Sequence, residues 1–335
     1  MRIDPPTDEG TNAMKILVTG ATGYIGAAAA KALRSAGHDV SALARSEGAA
    51  ARLRQAGLSP VAGDLTDPSS LARAVKDADV IVGAASIGSL GGDADTFAKD
   101  RDAVRVMLAA LEGSGKTLLF TSGSAVVGTF AAGEATTVIY DEDVKLPLPE
   151  AVFAPASAEV HPMMVRGFGA AMAARIETES DVLGVSGVKG VVIRPGLVYG
   201  AGGSYDLPAL IGVARKNGVA PHVGSGATLQ AYVHIDDLAD LFRLAVERAP
   251  KSAVLHGVTA EVSQHDLAAA VSRMIGAGDR TERLTLEQMF GAAGSVGVSL
   301  ALNKRLAADK TREITGWSPT RTDILQDVEI GSYAR

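Results

Sequence analysis

The chain has 335 residues, a formal net charge of −6 at pH 7 and only 4% aromatic residues, enough length for one large core with a smaller lobe or for two modest domains. The acidic balance and scarce aromatics exclude a basic nucleic-acid footprint and a base-stacking platform. With no cysteine, a disulfide framework, thiolate catalysis and cysteine metal sites are excluded, and no apolar run is long enough for a membrane span, so a metal-free cytoplasmic protein is expected.

Residues Met1 to Ala13 are polar, contain Pro5-Pro6 and precede the first fold signal at Met14-Lys15. They read as an appended N-terminal arm: a flexible extension, an upstream start codon, or an arm packed on a neighbouring subunit. The run Lys15-Ile16-Leu17-Val18-Thr19-Gly20-Ala21-Thr22-Gly23-Tyr24-Ile25-Gly26 then describes a buried strand, a glycine turn and a helix start. Gly20 permits the tight turn, Gly23 lets backbone approach a pyrophosphate, and Gly26 lets the helix pack close to the sheet, with the phosphates at the helix N-terminus.

Beyond this turn the hydrophobic period keeps switching. Strands are predicted at Ile16 to Val18, Val40 to Leu43, Leu58 to Ala62, Val80 to Ala84 and Thr117 to Thr121. Helices are predicted at Tyr24 to Ser35, Asp67 to Val75, Thr96 to Leu111 and Val165 to Leu183, the last preceding a sixth strand at Val191 to Ile193 that Arg194-Pro195-Gly196 ends. Such βαβ alternation predicts an α/β fold with a doubly wound, Rossmann-type parallel sheet covered by helices on both faces. Glycine-rich loops at 200–204 and 224–226 then fall where ligand-contacting loops are expected, on the C-terminal side of the strands. The expected organisation is a dinucleotide-binding domain over residues 14–200, completed by about 230–258, and a smaller C-terminal substrate lobe over 201–229 and 259–335. Beyond alanine enrichment there is no internal repeat or low-complexity tract.

The spacing Gly20-x-x-Gly23-x-x-Gly26 after Thr19 resembles the short-chain dehydrogenase/reductase superfamily. Three later segments extend the likeness: Arg194-Pro195-Gly196-Leu197-Val198-Tyr199-Gly200, Val233-His234-Ile235-Asp236-Asp237-Leu238-Ala239 and Thr315-Gly316-Trp317-Ser318-Pro319. In this order they are similar to the motifs of extended or atypical short-chain reductases of the NAD-dependent epimerase/dehydratase family. The resemblance covers residues 14 to about 333. Each later motif also has an architectural reading. Asp236 is placed to cap the following helix, leaving His234 and Asp237 structural, and Trp317 fills a core or lobe-packing position. Met163-Met164 read as cavity or core packing, and Asp141-Glu142-Asp143 as a solvated loop that could gate a pocket.

The glycine turn and the resemblance nominate Gly20, Thr22, Gly23, Tyr24, Ile25 and Gly26 as cofactor-binding residues. Cofactor choice turns on the end of the second strand, where an acidic side chain bonds a ribose 2′-hydroxyl and an arginine accommodates a 2′-phosphate. Here Ala44 stands near the acidic position, with Arg45 and Ser46 beside it. A guanidinium forks onto phosphate oxygens, so NADP(H) is expected over NAD(H); the alternative is that Arg45 is a solvated charge at a helix start. The resemblance further implies that Asp64 and Leu65 border the adenine, that Ala84 and Ala85 line the path to the nicotinamide ribose, and that Pro195, Gly196 and Val198 lie against the nicotinamide.

Short-chain reductases carry a hydroxyl residue plus Tyr-x-x-x-Lys on one helix face, and Tyr-x-x-x-Lys is absent here. Registering the Val165 to Leu183 helix on Glu179 puts Ala171 at the tyrosine position and Arg175 at the lysine position. Arg175 can hold ribose hydroxyls or pair with Glu179 one turn on. Ser122 and Ser124 flank Gly123, which stands where the family's hydroxyl is usual, and they either bond a substrate oxygen or satisfy strand-end backbone. Ser122, Ser124 and Arg175 are therefore the catalytic candidates. Three classes fit: an NADP(H)-dependent oxidoreductase of a small carbonyl or alcohol with an unusual proton donor, a nucleotide-sugar-type epimerase or dehydratase, and a noncatalytic NADP(H)-binding redox sensor. The expected partner is a small-molecule substrate, with neither nucleic acid nor membrane, and a homodimer is an open alternative to a monomer.

Overall fold

A computed structural model describes residues 13–87, 94–148 and 162–334. Residues 1–12 of the expected arm and the side chains of Met163 and Met164 lie outside this description.

The first half of the chain alternates strand and helix: β1 Lys15–Thr19, α1 Tyr24–Ser35, β2 Asp39–Ala44, α2 Glu47–Gln55, β3 Ser59–Ala62, α3 Pro68–Val75, β4 Val80–Gly83, α4 Ala94–Leu111 and β5 Thr117–Thr121. A short β6 at Thr129–Phe130 follows, then α5 Pro162–Gly184, β7 Lys189–Pro195, β8 Leu197–Tyr199, α6 Leu207–Asn217, β9 Ala220–Val223, β10 Leu229–His234, α7 Ile235–Arg248 and β11 Ala253–Gly257. The C-terminal part holds β12 Ala260–Ser263, α8 Gln264–Met274, β13 Thr281–Leu284, α9 Leu286–Ala293, α10 Ser295–Leu300, β14 Leu302–Asn303, α11 Asp309–Thr315 and α12 Ile324–Ile330.

Seven strands form one parallel sheet in the order β11-β7-β5-β4-β1-β2-β3. The expected α/β architecture is therefore present, with a seventh strand, β11, beyond the six read from the sequence. Segment 230–258 splits: α7 and β11 complete the large sheet, whereas β10 joins a small mixed sheet with β8 and β12. Chain order reverses between β1 and β4, and a crevice at the carboxyl ends of the strands is the physical consequence.

Period-2 alternation explains the layers. Ile16 and Val18 enter a core with Ala29, Leu33, Leu53, Leu241 and Phe242 from α1, α2 and α7. Leu17, pointing the other way, packs with Leu71, Val75, Met107 and Leu111 from α3 and α4. A third cluster, built from α6, α8 and α12 around Leu210, Leu267, Ile324 and Val328, belongs to the C-terminal part.

Two architectural details depart from the sequence reading. The cap of α7 is His234, whose Nδ1 accepts the Asp236 N–H at 3.1 Å, and Asp236 occupies the first turn instead. Asp237 is structural as read: its carboxylate accepts the Arg321 N–H at 2.7 Å and its carbonyl accepts Trp317 Nε1 at 2.8 Å, with Trp317 buried. Within Asp141-Glu142-Asp143, Glu142 is buried rather than solvated. It accepts both the N–H and the hydroxyl of Thr311, at 2.8 and 2.6 Å, satisfying orphan donors at the start of α11.

Candidate functional site

The glycine turn is positioned by β1 and β4. Thr19 Oγ1 donates to Val82 O at 3.5 Å and accepts the Ala85 N–H at 3.3 Å, tying Ala84 and Ala85 over the turn. Gly20 has φ +75°, and a Cβ there would stand 2.7 Å from Ala84 O. At Gly26 a Cβ would stand 2.3 Å from Gly20 O, so both positions require glycine for the chain's own packing. Gly23 differs: its extended backbone suits any residue, and among the described residues the one neighbour of a Cβ there is Gly20 O at 3.2 Å. What that position faces is the cleft.

From Gly23, Tyr24, Ile25 and Gly26 a cavity of about 400 Å³ runs past Ala84, Ala85 and the Ser122–Ala125 segment to Pro195, Gly196, Leu197 and Val198. Phe97, Phe120, Phe168 and Met172 give it apolar walls, and Ser204, Tyr205, Ser299 and Lys304 form part of its lining from the C-terminal side. The first turn of α1 carries no acidic side chain, so the positive end of its dipole meets the cavity uncompensated. Tyr24 is held by a 2.7 Å bond from its hydroxyl to Gly200 O.

A second cleft, of about 430 Å³, opens beyond β2 and is lined by Ala44, Arg45, Ser46, Gly63, Asp64, Arg54 and Arg73. Arg54 is paired with Glu47 at 2.6 Å. Ser46 Oγ accepts the Ala49 N–H at 3.2 Å as the cap of α2, which leaves its hydroxyl hydrogen free to donate. Asp64 Oδ1 accepts the N–H and hydroxyl of Thr66, which, with the N–H first, hold its carboxyl below the usual range. Leu65 packs against the core cluster beneath β1 and lines neither cleft, and Thr22 is exposed.

Among the catalytic candidates, Ser122, Ser124 and Arg175 all reach the larger cavity. Ser122 Oγ is buried and has no hydrogen-bond partner among the described residues. Arg175 does not pair with Glu179. Its Nη1 donates to Thr121 O at 3.0 Å, its guanidinium lies 4.8 Å from the centroid of Phe97, and burial lowers its pKa. Glu179 is taken by Arg194, with bonds of 3.2, 3.1 and 2.7 Å between two buried side chains. Ala171 is buried and lines neither cleft, while Phe168, Met172 and Arg175 present the cavity-facing side of α5. Tyr205 lines the cavity, whereas the Tyr199 hydroxyl donates to Arg321 O at 2.9 Å and the backbone of Tyr140 bridges to that of Leu306. Ser204 belongs to the 200–204 loop expected to contact ligand, whereas Lys304 and Ser299 were not read from the sequence. Those two stand in segments without a motif, and only the return of the chain to β10 brings Lys304 to the cavity.

Known proteins resemble this chain in sequence and in fold. An uncharacterized protein of Schizosaccharomyces pombe is 27% identical over 322 residues, spanning 96% of this chain and all of that protein. A ketoreductase of Stigmatella aurantiaca, named for 4-hydroxy-2-methyl-3-oxo-4-farnesyl-3,4-dihydroquinoline-1-oxide, is 28% identical over 239 residues, 71% of this chain and 66% of its own. Among solved structures, the dTDP-glucose 4,6-dehydratase DesIV of Streptomyces venezuelae, a double mutant with NAD and DAU bound, superposes with TM-score 0.70 at 19% identity, covering 96% of both chains. Human epimerase family protein SDR39U1 with NADPH gives 0.68 at 20%, covering 95% of this chain and 99% of its own. The model of the NAD dependent epimerase/dehydratase family matches residues 16–256, and the chain belongs to that family.

Proposed function

We propose that the protein is an NADP(H)-dependent oxidoreductase that interconverts a small carbonyl compound and its alcohol. The observation that carries this reading is the buried, unpartnered Ser122 hydroxyl on the wall of a cavity that starts at the glycine turn. Leaving a buried hydroxyl unpaired costs roughly 1–3 kcal/mol, a cost that a bound oxygen atom removes. The cradle at Gly23 and the uncompensated N-terminus of α1 suit a pyrophosphate. At the end of β2 Ala44 supplies no carboxylate to a 2′-hydroxyl and Arg45 and Arg73 offer two cations to a 2′-phosphate, while the cleft's carboxylates, Asp64 and Glu47, are engaged by Thr66 and Arg54.

When bound, the nicotinamide supplies or accepts hydride. The chain's own part is to orient and exclude water. Pro195 to Val198 form one wall, Phe97, Phe120 and Phe168 another, and Ser122 is placed to donate to a substrate oxygen. Arg175, fixed between Thr121 O and Phe97, presents its remaining N–H groups without being able to release a proton. Apolar walls and about 400 Å³ shared by reacting ring and substrate favour a small organic carbonyl over a nucleotide sugar. Relatives named as a ketoreductase and as 2-alkyl-3-oxoalkanoate reductases support the same class.

A noncatalytic NADP(H)-binding sensor is the second reading, favoured by the buried Ala171 where the family places tyrosine. The test is to incubate the protein with NADPH and a panel of small aldehydes and ketones, following cofactor absorbance and alcohol formation. Stoichiometric consumption is expected. Tight NADPH binding without product on any carbonyl overturns the oxidoreductase reading in favour of the sensor, and product formed without net cofactor change points to an epimerase.

A further inference from the structure

A buried lysine stands in the wall of the same cavity, where no motif announces it. We propose that Lys304 is the proton donor of this site, its ammonium meeting the substrate oxygen beside Ser299. The inference rests on the oxidoreductase reading. Lys304 follows β14, and its backbone is clamped to β10: its N–H donates to Leu229 O at 2.9 Å and its carbonyl accepts the Ala231 N–H at 3.0 Å. The residue is fully buried yet forms part of the cavity lining. An ammonium has three hydrogens, and among the described residues Nζ makes one bond, to Ser299 Oγ at 3.0 Å, and no ion pair. A desolvated cation with two undirected hydrogens is held for a ligand or is costly.

The titratable groups around it are few. Asp206, on the loop before α6, is buried with Oδ2 unpartnered and Oδ1 accepting the Ser204 hydroxyl at 2.6 Å. Tyr205 lines the cavity from the same loop, and Tyr232 on β10 donates to Gln230 Oε1 at 3.2 Å. Burial raises both phenols and the Asp206 carboxyl. Burial also pushes the Lys304 ammonium down to about 8, opposed by the charge of Asp206. A group with its pKa near the working pH transfers protons best. Among the other groups on the cavity wall, Arg175 keeps its proton, the Tyr24 hydroxyl is committed to Gly200 O, and the Tyr205 phenol, raised by burial, has its hydroxyl 3.4 Å from Ser295 Oγ.

The step balances. The carbonyl carbon gains a C–H bond with hydride from reduced nicotinamide dinucleotide, the C=O π pair moves to oxygen, and an N–H bond of Lys304 breaks as the O–H bond forms. Lys304 is left as a neutral amine that regains its proton from water, and alcohol oxidation runs the sequence backwards.

The test compares wild type with Lys304→Met, which keeps length and apolar shape, and Lys304→Arg, which keeps charge but cannot give up a proton. Turnover on the best carbonyl of the panel is expected to fall about 10²–10⁴-fold in both, with NADPH affinity by calorimetry within about twofold of wild type. Protein labelled with ¹³C at lysine Cε supplies a readout independent of turnover. The resonance lost in Lys304→Met is expected to titrate near 8, apart from exposed lysines near 10.4. Full activity in Lys304→Met or in Lys304→Arg, or titration of that resonance with the exposed lysines, overturns the assignment. Absence of turnover in the wild type itself instead overturns the oxidoreductase reading beneath it.

Discussion

Gly23 and Gly26 sit three residues apart in one motif, and the structure gives them opposite duties. In Gly26→Ala the new Cβ stands 2.3 Å from Gly20 O, 2.6 Å from its carbon and 3.0 Å from Ala21 N, all backbone atoms that cannot rotate aside. Such overpacking costs typically about 1–3 kcal/mol, occasionally more, and the gain from replacing a helical glycine offsets at most about 1 kcal/mol. A net loss of about 2 kcal/mol is expected. In Gly23→Val the backbone, at φ −97° and ψ 174°, suits valine, and among the described residues the only close neighbour of the Cβ is Gly20 O at 3.2 Å. The fold should lose no more than about 1 kcal/mol as an N-cap effect. Binding should suffer instead: separating a pyrophosphate from two backbone donors removes charge-assisted bonds of about 1.5–3 kcal/mol each. The expected loss is about 3–6 kcal/mol, roughly 10²–10⁴-fold in Kd. Urea denaturation of both variants and calorimetric titration with NADPH and NADH make the comparison. Undiminished cofactor binding by Gly23→Val, or wild-type stability of Gly26→Ala, would refute the division of labour.

Arg45→Asp should weaken NADPH binding by about 1.5–3 kcal/mol and leave NADH nearly unchanged; equal wild-type affinity for the two cofactors in calorimetry removes the basis for NADP(H) preference. Glu179→Ala strands the buried Arg194 guanidinium and should destabilise the fold by about 3–5 kcal/mol, and a urea midpoint indistinguishable from wild type contradicts it. His256, fully buried with Nδ1 bonded to Ala307 O at 2.8 Å, is held at about 3, chiefly by desolvation and further by Arg194. Because the folded pKa lies below the unfolded 6.5, the unfolded chain binds more protons between these values, so stability is complete above pH 6.5 and declines as pH falls toward 3. His256→Asn should flatten that acid limb in denaturation curves at stepped pH, and an unchanged slope counts against the buried neutral imidazole.

Local physics made much of this protein legible from its sequence. A glycine-x-x-glycine-x-x-glycine turn between an apolar run and an alanine-rich helix has few conformational solutions, and repeated switching between period 2 and period 3.6 specifies a parallel sheet with helices on both faces. The register that set Ala171 and Arg175 on α5 came from Glu179, and its anchor acquired a partner in Arg194, 15 residues away. What tertiary structure decided were choices between equally local alternatives. Arg175 could reach Glu179 along its own helix but meets Thr121 O and Phe97 instead. The cap of α7 fell to His234, one position outside the helix, rather than to Asp236. Glu142, in an acidic run that reads as solvated, became buried because Thr311, 169 residues on, needed an acceptor. Lys304 carries no sequence signal, since a lysine is polar in any pattern. Its burial and its place at the cavity exist only because β14 returns the chain alongside β10, bringing together segments that no local periodicity connects.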